Sequence, residues 1–219
     1  MADVVIFGVG DYAEQAHYYL STDSPHRVVA FSVTSDWRTE PRFRDLPLVP
    51  FEEVEKDFPP DAVSFFLPMS GRRMNRDRER FYKEAKSKGY SLISYVSSRA
   101  ILCDNKIGEN CFIFEGANLQ PFAEVGDNSV IWCQTHVGHH SIIGDHVFIS
   151  GGVTVSGRCR IGSYSYLSAN ALIDANVTLA EGTLAALASV VTRDTESWGI
   201  YTGQPARRRK VSSADFNFL

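Results

Sequence analysis

Ile107-Gly-Glu-Asn-Cys-Phe-Ile113-Phe-Glu-Gly-Ala-Asn-Leu119-Gln-Pro-Phe-Ala-Glu-Val125-Gly-Asp-Asn-Ser-Val-Ile131 sets an aliphatic residue at every sixth position. Extended both ways, the series reads Ile101, Ile107, Ile113, Leu119, Val125, Ile131, Val137, Ile143, Ile149, Val155, Ile161, Leu167, Ile173, Leu179, Ala185, Val191. No insertion breaks it and only Ala185 weakens it. Four residues after each member a small or β-branched residue usually follows, as at Cys111, Ala117, Ser129, Val147 and Ser165. A period of six fits neither an amphipathic helix nor an alternating strand. It fits a triangular solenoid, in which each hexapeptide makes one flat face and one corner and three make a coil. Aliphatic side chains then stack in internal columns, and successive coils pair as parallel strands ~4.8 Å apart. The fold class expected for residues 97–195 is therefore an all-β parallel β-helix.

Working outward, residues 1–96 carry a different pattern. Val4-Val-Ile-Phe-Gly8 is an apolar run ending in glycine, followed by Gly8-x-Gly10-x-x-Ala13. A helix is expected from Tyr12 to Leu20, a strand from Val28 to Val33, and a buried strand from Asp61 to Leu67, stopped by Pro68. A charged helix follows, roughly Met74 to Lys88, capped by Gly89, and a last strand spans Leu92 to Val96. Strands alternating with helices predict a small Rossmann-like α/β domain. Residues 196–219 read as a C-terminal tail.

The composition excludes several classes of function. At 219 residues, 44% hydrophobic and 22% charged, the chain is an ordinary globular protein. No stretch approaches the ~20 apolar residues of a membrane span, and no basic segment precedes an apolar run at the start, so no signal peptide is expected. A net charge of −4 argues against nucleic acid as a partner. Cys103, Cys111, Cys133 and Cys159 include no C-x-x-C pair, which predicts free thiols and a cytoplasmic location. Basic charge concentrates only at Arg207-Arg208-Arg209-Lys210.

A short α/β domain with a glycine turn, then hexapeptide repeats, then Tyr201-x-Gly203-x-Pro205-Ala206-Arg207, resembles the sialic acid O-acetyltransferase and bacillosamine N-acetyltransferase group. The segment Val137-Gly-His139-His140-Ser-Ile-Ile-Gly144 narrows the resemblance to that group within the hexapeptide-repeat sugar acetyltransferases. The resemblance implies a left-handed winding and a homotrimer, with acetyl-CoA as co-substrate in the groove between neighbouring solenoids. It also implies a nucleotide-sugar substrate held partly by residues 1–96, no metal, and acetyl transfer to a sugar amine or hydroxyl.

Acyl transfer from a thioester needs a base near working pH, for which histidine is suited. By resemblance the base falls at His139. Gly157 lies eighteen residues further on, hence one coil along in the same column. By resemblance its backbone N–H meets the thioester carbonyl, and glycine permits that approach. Two departures stand out: His140 occupies a place where some relatives carry glutamate, and Phe148 one where some carry a second histidine. The partner that orients His139 stays open among His136, Asn118 and Gln120, with His146 a further candidate across a subunit interface.

For CoA, the small residues Ser168, Ala169, Ala186 and Ala188 suit a pantetheine arm, and Arg193 with the cluster at Arg207 suits its phosphates. The turn Gly8, Gly10, Asp11, Tyr12 opens a helix whose amides can receive phosphate. A sugar-nucleotide role fits the short domain better than NAD, with Asp36 and Trp37 toward base or ribose and Ser70, Gly71 and Arg72 toward phosphate. Two rival readings remain. One is a γ-carbonic-anhydrase-like metal enzyme using the histidines at 136–146, against which stands the lack of any histidine between 27 and 135. The other is a sugar-binding solenoid without catalysis.

Overall fold

The computed structural model describes residues 1–215; the final positions of the expected tail, 216–219, lie outside the described residues. The chain divides into two compact units, Met1–Ser70 with Arg80–Tyr95, and Gly71–Glu79 with the described residues from Val96 onward.

In the first unit, β1 (Asp3–Phe7), β2 (Arg27–Val33), β4 (Leu46–Pro50) and β5 (Ser64–Phe66) run parallel, and β3 (Arg42–Phe43) joins antiparallel at the edge. The strand order β3-β4-β2-β1-β5 reverses direction at β1. Helix α1 (Asp11–Thr22) connects β1 to β2 and buries Ala13, Ala16 and Leu20. Val4, Val5 and Ile6 of β1 are fully buried, as a strand covered on both faces requires. Phe7, Phe51, Phe65, Phe81 and Tyr90 form the aromatic centre of this core.

Three details differ from the expectations. β3 and β4 were not anticipated, because Pro47 and Pro50 argue against a strand; β4 tolerates them beside a two-residue edge partner. The strand expected over 61–67 is confined to Ser64–Phe66, and that over 92–96 to Tyr95–Val96, with Leu92 making only an isolated bridge to Phe65. The charged helix α2 spans Arg76–Ser87 and not Met74 onward. Arg73, Met74 and Asn75 all hold left-handed backbone, at φ 50°, 52° and 67°.

That left-handed turn has its reason in the second unit. Met74 is buried with Leu184 and Ile200, and the Asn75 Nδ2 donates to the carbonyls of Tyr164 (3.0 Å) and Ser165 (3.2 Å). Arg78, fully buried, donates to the carbonyls of Asn128 (3.0 Å) and Val147 (3.1 Å). Residues 71–79 thus pack with the solenoid and not, as their place in the sequence suggested, with residues 1–70.

From Lys106 to Val191 the solenoid has three parallel sheets of two-residue strands, and each ladder partner stands eighteen residues away. His136 pairs with Asn118 on one side and Thr154 on the other; Glu124 pairs with Lys106 and Ile142; Phe148 pairs with Val130 and Tyr166. The six-residue aliphatic columns form one continuous buried core from Ile113 to Val191. Burying each such side chain contributes roughly 1.5–3 kcal/mol. Ile101, the first of the series, is exposed and makes only an isolated bridge to Asn118, so the regular coils start at Lys106–Ile107.

A second six-residue rhythm marks the corners. Every sixth residue from Asp104 to Ala188 has positive φ, between 52° and 70°. Asn and Gly, which tolerate this region, hold seven of the positions: Asn110, Gly116, Asn128, Gly152, Asn170, Asn176 and Gly182. The end of the chain is not a bare tail. Gly199–Gly203 pairs parallel with Leu184–Ala185, and Ala206–Ser212 folds back antiparallel on it, so a hairpin completes one sheet of the solenoid.

Candidate active site

His139 lies just past the strand His136–Val137, where the chain leaves one sheet for the next. The pairing of Val137 with Val155 puts Gly157 directly beside it on the following coil. A Cβ on Gly157 would stand 2.7 Å from His139 Nε2 and 2.9 Å from Cε1, so the imidazole rests on bare glycine backbone. His139 is exposed and Gly157 half-buried. The Gly157 N–H donates to no group among the described residues, although its carbonyl accepts from the Asn176 N–H at 3.0 Å. An exposed ring nitrogen and an uncommitted backbone donor therefore share one corner of the solenoid.

The backbone here is held from three sides. The His139 N–H donates to Gln120 Oε1 (3.0 Å), and its carbonyl accepts from the Arg158 N–H (2.8 Å). Gln120, one of the open orienting candidates, thus acts on the backbone of His139 and not on its ring. The ring instead meets His140, with the two Nδ1 atoms 3.0 Å apart. His140 occupies a left-handed corner (φ 59°), donates its N–H to the Pro121 carbonyl (3.3 Å) and sets its ring 4.7 Å from that of Phe122.

His136, three residues before His139, pairs with Asn118 on the preceding coil, and among the described residues neither hydrogen-bonds to the His139 ring. His146 faces elsewhere: it is buried, with its Nδ1 2.8 Å from Asn128 Nδ2 and its ring centroid 5.2 Å from that of Tyr164, tilted by 34°. Phe148 is also buried, stacked on Tyr166 at 4.9 Å. Among the described residues no three His, Cys, Asp or Glu side chains are placed to hold a metal ion. Nor, among the described residues, is any helix long and apolar enough to cross a membrane.

A cleft of about 620 Å³ opens at the hairpin end of the solenoid, lined by Ser168, Leu184, Ala186, Leu187, Ile200, Thr202, Arg209 and Val211. It brings together two of the small residues expected along a CoA arm, Ser168 and Ala186. Ala169 and Ala188 sit on adjacent coils, joined by the Ala188 N–H to the Ala169 carbonyl at 3.0 Å, and do not line it. The cation that lines it is Arg209. Arg207 and Arg193 are exposed elsewhere, and Arg208 faces Glu196 at 3.6 Å. Alternation along the extended strand turns Arg208 away from the face of Arg209, a choice that the sequence cluster alone could not resolve.

In the first unit, Gly8 (φ 110°) follows β1 and donates its N–H to the Ser32 carbonyl (2.8 Å). Gly10 precedes α1 and supplies no side-chain cap to the helix that Asp11 and Tyr12 open. Asp36 and Trp37 lie in a short 3₁₀ turn, Ser35–Trp37, after β2, with Trp37 68% exposed. Because β1 and β2 are parallel, the Gly8–Tyr12 turn and the Asp36–Trp37 turn share the carboxyl edge of the sheet, beside its reversal point, where open α/β sheets bind ligands. Ser70 closes this unit. Gly71 is committed to packing, since a Cβ there would stand 2.5 Å from the Tyr166 ring, and Arg72 is exposed.

Residues 123–157 and 140–175 match the family profile described as bacterial transferase hexapeptide (six repeats). The whole chain is similar in fold to a variant of perosamine N-acetyltransferase from Caulobacter crescentus in complex with CoA and GDP-perosamine. The TM-score is 0.86 at 21% identity, over 96% of this chain and 98% of that one. It is also similar to the acetyltransferase domain of PglB from Neisseria gonorrhoeae (TM-score 0.82, 20% identity, 95% and 100% covered). WeeI from Acinetobacter baumannii is a third (0.80, 18%, 95% and 100%). No curated protein sequence matches the chain.

Proposed function

We propose that the chain is an acetyl-CoA-dependent acetyltransferase acting on an amine or hydroxyl of a nucleotide-linked sugar, with His139 as general base. The observation that carries this reading is the His139 imidazole lying over Gly157, whose N–H has no acceptor among the described residues. The similar folds described with CoA and a nucleotide sugar support it. His139 Nε2 takes the proton from the acceptor as its nitrogen or oxygen bonds to the acetyl carbonyl carbon. The Gly157 N–H donates to the oxyanion that forms, a contribution typically worth ~2.7–4 kcal/mol. Collapse of the intermediate breaks the C–S bond, and the imidazolium returns its proton to the departing sulfur, leaving free CoA thiol and acetylated sugar.

In this reading the apolar cleft with Arg209 receives the pantetheine arm and a phosphate. The carboxyl edge of a Rossmann-like first unit holds the nucleotide, through the turns at Gly8–Tyr12 and Asp36–Trp37. The solenoid is wound left-handed, three chains assemble, and the enzyme works in the cytoplasm. Thiol release measured with acetyl-CoA and a panel of amino-sugar nucleotides tests the activity. His139→Ala is expected to fold normally and to lose on the order of 10²–10⁴ in turnover, the range for general-base catalysis; near-native turnover would reject the base. Sedimentation equilibrium should report three chains per particle, and a monomer would remove the assembly.

A further inference from the structure

The structure assigns His140 as a positioning residue that fixes the proton on His139 through a one-proton bridge between the two Nδ1 atoms. This rests on reading His139 as the base. Two imidazole nitrogens 3.0 Å apart cannot both carry hydrogen, nor can both present lone pairs without repulsion. One ring must donate and the other accept. When His139 takes a proton at Nε2, its Nδ1 necessarily carries hydrogen, and His140 Nδ1 is then the acceptor. A bridge to a charged donor is the stronger kind, so the contact tightens as the imidazolium forms. With His140 Nδ1 the acceptor in the resting state as well, His139 Nε2 is left bare, on the side where the ring borders Gly157.

His140 is built to stay in place. Its left-handed corner, its N–H to the Pro121 carbonyl and the Phe122 ring hold it from three directions. The two rings stand nearly perpendicular, at 87°. Gln120 and Arg158 hold the backbone of His139, which leaves the rotation and tautomer of its ring to His140. The bridge needs only an acceptor at position 140, and no carboxylate.

Two substitutions isolate that acceptor, because glycine and asparagine both tolerate positive φ. His140→Gly removes it, and His140→Asn replaces it with an amide oxygen. We expect kcat to fall about 10–100-fold in the glycine variant, a part of what a base contributes, with KM for acetyl-CoA unchanged. The asparagine variant should recover to within about five-fold of the native enzyme, an expectation from the restored acceptor. Nitrogen-15 spectra of histidine-labelled protein, with no substrate present, should show His139 protonated at Nδ1 in the native and asparagine forms and shifted toward Nε2–H in the glycine form. Native kcat in His140→Gly, or an unchanged His139 tautomer there, would overturn the assignment. So would equal losses in both variants. Full turnover in His139→Ala would instead reject the base while the tautomer measurement still judged the bridge.

Discussion

At Gly157 the absence of a side chain makes room for the imidazole of His139. A Cβ at 2.7 Å from Nε2 is closer than atoms can come, and the group in the way is the end of a side chain, which can swing aside. Gly157→Ala should therefore leave the melting temperature close to native while displacing His139. We expect kcat to fall at least ~10-fold, a fraction of the base's usual contribution. Unchanged turnover with the alanine in place would show that the ring need not lie there. The period-six register already puts these two residues in one column; it does not show that the ring closes onto the glycine. That depends on side-chain rotation, where the ring meets His140.

Among elements, the terminal hairpin supplies half of the cleft's lining: Ile200, Thr202, Arg209 and Val211 all come from it. Arg209→Ala should raise KM for acetyl-CoA several-fold and lower kcat by less, as loss of uniform binding does. Arg207→Ala, outside the cleft, should change neither. An unchanged KM in Arg209→Ala would move the phosphate contact elsewhere. The hairpin was illegible as structure because the aliphatic rhythm stops at Val191 and four basic residues follow soon after. The coils were legible because every internal position repeats one requirement, and a ladder partner is always eighteen residues away. The corners were half legible: the Asn and Gly at left-handed positions are visible in the sequence. Phe122, His140 and Tyr164 adopt the same backbone without that signature.

For the molecule as a whole, two tyrosines, buried Tyr90 and half-buried Tyr164, tie stability to alkaline pH. Tyr164 is pushed up from 10.0 to about 12, first by burial, then by the hydrogen bond to Glu79 Oε1 (2.8 Å) and the nearby Glu79, Glu181 and Asp145 carboxylates. Tyr90 is raised to about 12 by burial and by Glu55. An acid whose folded value is raised keeps its proton in the native state after the unfolded chain has lost it. Stability is thus intact below pH 10 and falls as pH rises from 10 toward 12. Urea midpoints measured across that range should decline, and less steeply in Tyr164→Phe, which has no proton to lose there. Parallel declines in both proteins would mean that Tyr164 ionises freely.

By itself the sequence determined the solenoid, its core columns and the neighbourhood of His139 and Gly157, because a repeating local rule propagates along the chain without reference to distant contacts. It also placed the Gly8–Tyr12 and Asp36–Trp37 turns after strands, and parallel pairing then put them on one edge. Only the tertiary structure decided which arginine enters the cleft, that residues 71–79 pack with the coils, and that His140 meets His139. Each of those outcomes turns on where a side chain points, or on contacts between segments far apart in the chain, such as Asn75 with Tyr164 and Arg78 with Val147. A period carries no information about either.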